Sequence, residues 1–273
     1  MTKCHILFLL TAALLLTACK PAPKGPSLSE YGSHSQASLE IQFEPFVQEL
    51  LALPADEARQ RQESRLAEVA GDSVRWRELI ALEEKFLLDP NSPYRDEERY
   101  LPVAEAVVES PFATEKQLYY HQYILPRLQY NRPGTKAADF GFLTPRGRRS
   151  TLYQTIDARR PKHTLLFFSN PGCPNCKEIT DALSGDTRVQ AHIQQGDLLV
   201  VNIYPDADVE TWLDYLPEYP AEWICGCDED QVLNAETIYW LRAIPSLYLL
   251  DEEKRVILKD APLERLMAAL RQD

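Results

Sequence analysis

The chain has 273 residues, 45% of them hydrophobic and 26% charged, with a formal net charge of −12. This composition suits one large globular domain or two modest ones. The acidic balance, with no basic patch to offset it, excludes nucleic acid as a partner.

The chain begins MTKCHILFLLTAALLLTACK, with Lys3 ahead of a mainly apolar run from Ile6 to Leu16. The run is too short to span a bilayer and has the length of a signal-peptide core. It ends in Leu16-Thr17-Ala18-Cys19, which resembles the lipobox of bacterial lipoproteins. The resemblance implies that residues 1–18 are a signal peptide and that Cys19 carries lipid and anchors the chain to a membrane. Lys20, where aspartate often marks inner-membrane retention, implies the outer membrane, facing the periplasm. The alternative is a plain secretory signal with an incidental cysteine. Residues 19–38, rich in Pro, Ser, Gly and Lys, read as a flexible tether.

Residues 39–130 form a helical pattern and are expected to make a small α-helical domain. Trp76, Leu79, Ile80, Phe86 and Leu87 follow helical spacing, and the run stops at DPNSPY. DEERYLPVAEAVVES reads as a second helix, with Pro102 in its first turn. ATEKQLYYHQYILPRLQYN reads as a third, with a capping box at Thr114 and Gln117. Its Tyr and Leu stripe is expected to be core, and His121 within it is assigned no role.

The texture changes near Asn131, and residues 131–273 are expected to be a second domain. Turn signals at Pro133-Gly134 and Pro145-Arg146-Gly147 suggest a β-hairpin. KHTLLFFSN, the stretch from Leu198 to Tyr204, AIPSLYLLD and RVILKD read as strands, the first two continuously apolar and buried. Helical patterns follow at Cys173 to Leu183 and in PLERLMAALRQ. Strands alternating with helices argue for an α/β domain, a central mixed sheet flanked by helices.

The stretch NPGCPNCKEI carries the chemistry. A strand runs into it and a helix begins at its cysteines. Cys173 then lies at a helix N-terminus, where unpaired amides and the helix dipole favour an anion. Such placement lowers a thiol pKa from about 8.5 to roughly 3.5–7.5, and the thiolate is the nucleophile that attacks a disulfide. Cys176, one turn later, faces the same way and resolves the mixed disulfide. The bland alternative is a passive disulfide in a binding scaffold.

FFSNPGCPNCK, followed about seventy residues later by RAIPSLYLLD, resembles the thioredoxin fold. The lead-in GTKAADFGFLTPRGRRSTLY resembles its TlpA/ResA branch through Gly134, Asp139, Phe140, Gly147 and Leu152. The helical stretch LLDPNSPYRDEERYLPV resembles a domain that precedes thioredoxin domains in some bacterial lipoproteins. The resemblance implies that Pro245 is a cis-proline beside the dithiol, and that Ile244 and Pro245 shape the substrate groove. It further implies a periplasmic thiol–disulfide oxidoreductase that reduces protein disulfides and is recharged by an upstream thiol reductant, with Ile244 marking the reducing branch. No bound organic cofactor is implied, because the electrons travel in the thiols. The sequence departs from the family at Gly172, where a tryptophan is frequent, and at Phe167, where many members carry a buried acid.

A second pair, Cys225 and Cys227, lies in EWICGCDED, outside the family pattern. Three readings stand: a second redox pair that relays electrons to or from Cys173 and Cys176, a local structural disulfide or free thiols in an exposed insertion, or a zinc site joining both pairs.

Overall fold

The computed structural model describes residues 36–235 and 238–271. The expected signal peptide, the lipidation site Cys19 and all but the end of the tether lie outside the described residues. Among the described residues no helix is long and apolar enough to cross a membrane.

Among the described residues the helical part contains five helices and one π-helical turn. They are α1 (Gln36–Ala52), α2 (Ala55–Val69), α3 (Ser73–Glu83), the π turn Glu84–Leu88, α4 (Glu97–Glu109) and α5 (Glu115–Leu128). Local chemistry sets several starts. The Asp72 carboxylate accepts from the Val74 and Arg75 amides, and Asp96 accepts from Arg99. Thr114 and Gln117 form a reciprocal capping box. Phe43, Phe46, Leu79, Tyr100 and Val107 meet in one core.

Two expectations are corrected here. Pro102 lies beyond the first turn of α4, because Asp96 caps the helix and Glu97 is its first residue. The α5 tyrosines are not core: Tyr119 is 77% exposed, and Tyr120 and Tyr123 are exposed too. His121, Ile124 and Leu128 form the buried stripe instead, at the three- and four-residue spacing of one helical face. The His121 ring meets the Tyr100 hydroxyl at 2.6 Å and the Gln117 carbonyl at 2.8 Å, and burial lowers its pKa.

The second part is built on one mixed sheet. Its elements are β1 (Gly141–Leu143), β2 (Arg149–Thr151), α6 (Leu152–Arg159), β3 (His163–Phe168), α7 (Pro174–Gly185), α8 (Thr187–Gln195), β4 (Leu198–Tyr204), α9 (Val209–Tyr215), a 3-10 turn at Leu216–Glu218, β5 (Ile224–Cys227), α10 (Val232–Ala235), β6 (Ser246–Leu250), β7 (Val256–Leu258) and α11 (Leu263–Leu270). Strand order is β2-β1-β5-β4-β3-β6-β7. β3, β4 and β5 run parallel, while β6 runs antiparallel to β3. One face packs Phe167, Leu183, Trp212 and Leu266; the other packs Phe140, Phe142, Phe168 and Tyr248. This is the expected α/β fold preceded by helices.

Two elements differ from expectation. The hairpin region also holds α6, started by a capping box at Thr151 and Gln154. ICGC is not part of an exposed insertion: it is β5, an interior strand between β1 and β4, with Cys225 and Cys227 buried. The glycine between them explains the fit. A Cβ on Gly226 would stand 2.3 Å from the Phe142 ring and 2.9 Å from Ile203 Cδ1.

Two outcomes follow. Gly226→Ala overpacks this site and is expected to destabilise the protein by about 1–3 kcal/mol, read as a lower thermal midpoint. Glu83 is fully buried, bonded through one oxygen to Gln62 at 2.9 Å, and burial pushes its carboxyl up from 4.5 to about 7. Between those two values the folded state holds a proton that the unfolded state has released. Glu83 therefore contributes stability that is full below pH 4.5 and lost as pH rises through about 7. Denaturation midpoints of wild type minus Glu83→Gln are expected to fall across that window.

Candidate functional site

β3 ends at Phe168, and the loop from Ser169 to Gly172 leads into α7. Gly172 takes φ +71°, a backbone conformation in which glycine carries no Cβ penalty. Cys173 caps α7: its Sγ accepts from the Cys176 amide at 3.2 Å, and Pro174 occupies the first turn, where a missing N–H costs no helical bond. Cys173 and Cys176 form a disulfide with Cα atoms 5.2 Å apart. The two sulfurs differ in access. Cys173 is partly exposed, whereas Cys176 is 3% exposed. Lys177, which the sequence places near the thiol, is bonded to Asp181 at 2.9 Å.

The Ile244–Pro245 peptide bond is cis. Ser246 pairs with Phe168 in the β3–β6 ladder, so Pro245 lies level with Ser169, at the start of the loop that carries Cys173. Ile244 packs against the cores on both faces of the sheet.

Behind the disulfide, Phe167 is buried against the Trp223 edge where many thioredoxins hold an acid. Polar groups stand nearby instead. The Ser169 hydroxyl donates to Asn202 Oδ1 at 2.6 Å and meets the Tyr219 hydroxyl at 3.1 Å. Tyr219 also lines a small pocket with Asn170 and Cys176. Sequence reading missed this trio, although an asparagine inside the apolar run LLVVNIY is the signal that finds it.

A second feature it missed holds the cis-proline loop. Arg242, two residues before Ile244, bonds to Glu97 and Asp260 at 2.9 Å each and to the Leu88 carbonyl. Lys259 reaches Glu97 at 2.7 Å and the Leu128 carbonyl at 3.0 Å. Arg95 donates to the carbonyls of Asp260 and Ala261, and Ser246 donates to Asp260 at 2.8 Å. Glu97 is 1% exposed at its side chain. Burial pushes its carboxyl up, against the pull of Lys259 and Arg242.

Cys225 and Cys227 are free thiols. They lie two residues apart on one face of β5. Burial pushes both up to about 12, so neither is a thiolate at neutral pH. Among the described residues no three His, Cys, Asp or Glu side chains are grouped to hold a metal ion.

The sheet order, the helix-capping disulfide and the cis X-Pro bond beside it define a thioredoxin-type domain. The whole architecture recurs in a thioredoxin-like protein from Bacteroides caccae ATCC 43185, with 34% identity and a TM-score of 0.79 over 89% of this chain and 86% of that one. The chain belongs to this family of thioredoxin-like proteins. Further solved structures match about half of it, among them two from other Bacteroides species. The C-terminal domain of an uncharacterized protein from Bacteroides fragilis NCTC 9343 shares 38% identity over 52% of this chain and 98% of that one, with a TM-score of 0.49. The thioredoxin domain of a thiol-disulfide oxidoreductase from Bacteroides vulgatus shares 20% over 52% of this chain and 96% of that one, with a TM-score of 0.44. Residues 29–131 match the family model of a domain of unknown function, DUF5106. No curated protein matches the chain.

The two cysteine pairs are expected to separate by reactivity. After mild reduction at pH 7, iodoacetamide is expected to label Cys173 first and to leave Cys225 and Cys227 unlabelled until denaturant is added, as read by peptide mass spectrometry. Labelling of either β5 thiol in the native protein would restore the relay reading.

Proposed function

We propose that the protein is a thiol–disulfide oxidoreductase of the cell envelope that reduces disulfides in protein substrates. The observation that carries this reading is the unequal exposure of a disulfide that caps a helix beside a cis-proline. In the reduced form Cys173 is the accessible thiol, and the α7 amides stabilise its thiolate. It attacks one sulfur of a substrate disulfide; an S–S bond forms between enzyme and substrate, and the other substrate sulfur leaves and takes a proton. Cys176, shielded until then, attacks Cys173. That step releases the second substrate thiol and leaves the Cys173–Cys176 disulfide. Two electrons have passed to the substrate, and an upstream thiol reductant returns them. Ile244 and Pro245 form the edge along which an extended substrate chain lies. Cys19 carries the lipid anchor, on the strength of the Leu-Thr-Ala-Cys motif alone, and the chain faces the periplasm from the outer membrane.

Insulin reduction by dithiothreitol tests the roles. Cys173→Ser is expected to fall to the uncatalysed rate. Cys176→Ser is expected to accumulate a mixed disulfide through Cys173, visible as added mass that a reductant removes. A reduction potential between about −270 and −200 mV fits a reductase. A value near about −120 mV would make the protein an oxidant, and absence of exchange would leave a binding scaffold.

A further inference from the structure

A cleft of about 610 Å3 lies at the sheet edge, between the β1–β2 turn and the segment joining α9 to β5. Its size falls within the range of small-molecule sites. Neither Cys173 nor Cys176 lines it. The turn contributes Arg146, Arg148 and Arg149, and the end of α6 contributes Arg159; no acidic side chain lines it.

The four arginines are not equivalent. Arg149 is paired with Glu229 and Asp230 across the strand ends. The side chains of Arg146, Arg148 and Arg159 make no ion pair, hydrogen bond or ring contact among the described residues. In a chain of net charge −12, three unpaired guanidinium groups around one concavity invert the local field. Guanidinium forks match the oxygens of carboxylates and phosphates.

A second observation is independent of that charge. Trp223 lines the same cleft and is 5% exposed. Its buried indole N–H has no acceptor among the described residues. Buried donors are nearly always satisfied, because an unmet one is costly. A buried donor left open on a residue that lines an arginine-rich cleft marks where an acceptor oxygen belongs.

We propose that this cleft binds a small organic oxyanion, a carboxylate or phosphate ester with an apolar body. The charged end pairs with Arg146, Arg148 and Arg159, an oxygen of the ligand accepts from Trp223 Nε1, and the body lies on the apolar lining at Leu216 and Pro220. The sequence reading passed over PRGRRS as a turn, because the cleft exists only once β1 pairs with β5.

Isothermal titration of the full protein with phenyl phosphate and with benzoate, and with benzyl alcohol as the neutral control, tests the proposal. Saturable binding of at least one anion, weakened by added salt, is expected, and none of the alcohol. The stronger of the two anions identifies the phosphate or the carboxylate class. Arg146→Ala/Arg148→Ala/Arg159→Ala removes exposed side chains, so it is expected to keep its circular dichroism and thermal midpoint while losing about tenfold or more in affinity. Trp223→Phe keeps a ring but loses the N–H, and a loss of about threefold to tenfold is expected. Absence of saturable binding by either anion, or binding unchanged in the triple variant, overturns the proposal. So does binding by a glutamate-rich peptide alone, which would make the cleft a docking site for an acidic chain. Titration of Cys173→Ser, expected to match wild type, keeps this result separate from the outcome for thiol exchange.

Discussion

A carboxylate enclosed by two cations joins the helices to the loop that carries the cis-proline. Glu97, near the start of α4, meets Arg242 and Lys259 from the sheet domain in a place where water has little access. Asp260 shares Arg242 and also accepts from Ser246, the first residue of β6. Removing these charges from water is unfavourable, and the cluster stands because each member has several partners. A buried ion pair is weak evidence for stability, but its hydrogen-bond directions define where the groups it joins can lie. Here the definition falls on Arg242 to Ser246, the segment that sets where Ile244 and Pro245 lie relative to Cys173.

The same residue type plays opposite parts within one sheet. Cys173 sits where a strand gives way to a helix, partly exposed, with an amide hydrogen aimed at its sulfur. Cys225 and Cys227 sit inside a strand with cores around them, and their thiols hold their protons. Nothing in the residues themselves separates the pairs. Access and local field do, which is the general rule for cysteine chemistry.

The parts legible in the sequence were those with local signals. Continuous apolar runs gave β3, β4 and β6, capping chemistry gave the start of α5, and strand–CPNC–helix spacing gave the place of Cys173 at a helix start. The parts that were not legible depend on distant pairing. WICGC looks like an insertion until Leu143 is known to pair with Cys227. The α5 tyrosines read as core because aromatic residues usually are, while the true core face is set by the neighbours of His121. Glu97 and Arg242 stand 145 positions apart, and no local pattern announces that they meet. Ser169, Asn202 and Tyr219 converge for the same reason, each from a different element.

The charge cluster also bears on how such a chain changes over evolutionary time. Halves that meet through apolar surfaces accept substitutions singly, because a methyl group lost on one side leaves only a small gap. Shared buried charges are less forgiving, because losing Glu97 takes from Lys259 its carboxylate partner and leaves Arg242 with Asp260 alone. The two parts constrain each other at this cluster, although each has its own hydrophobic core.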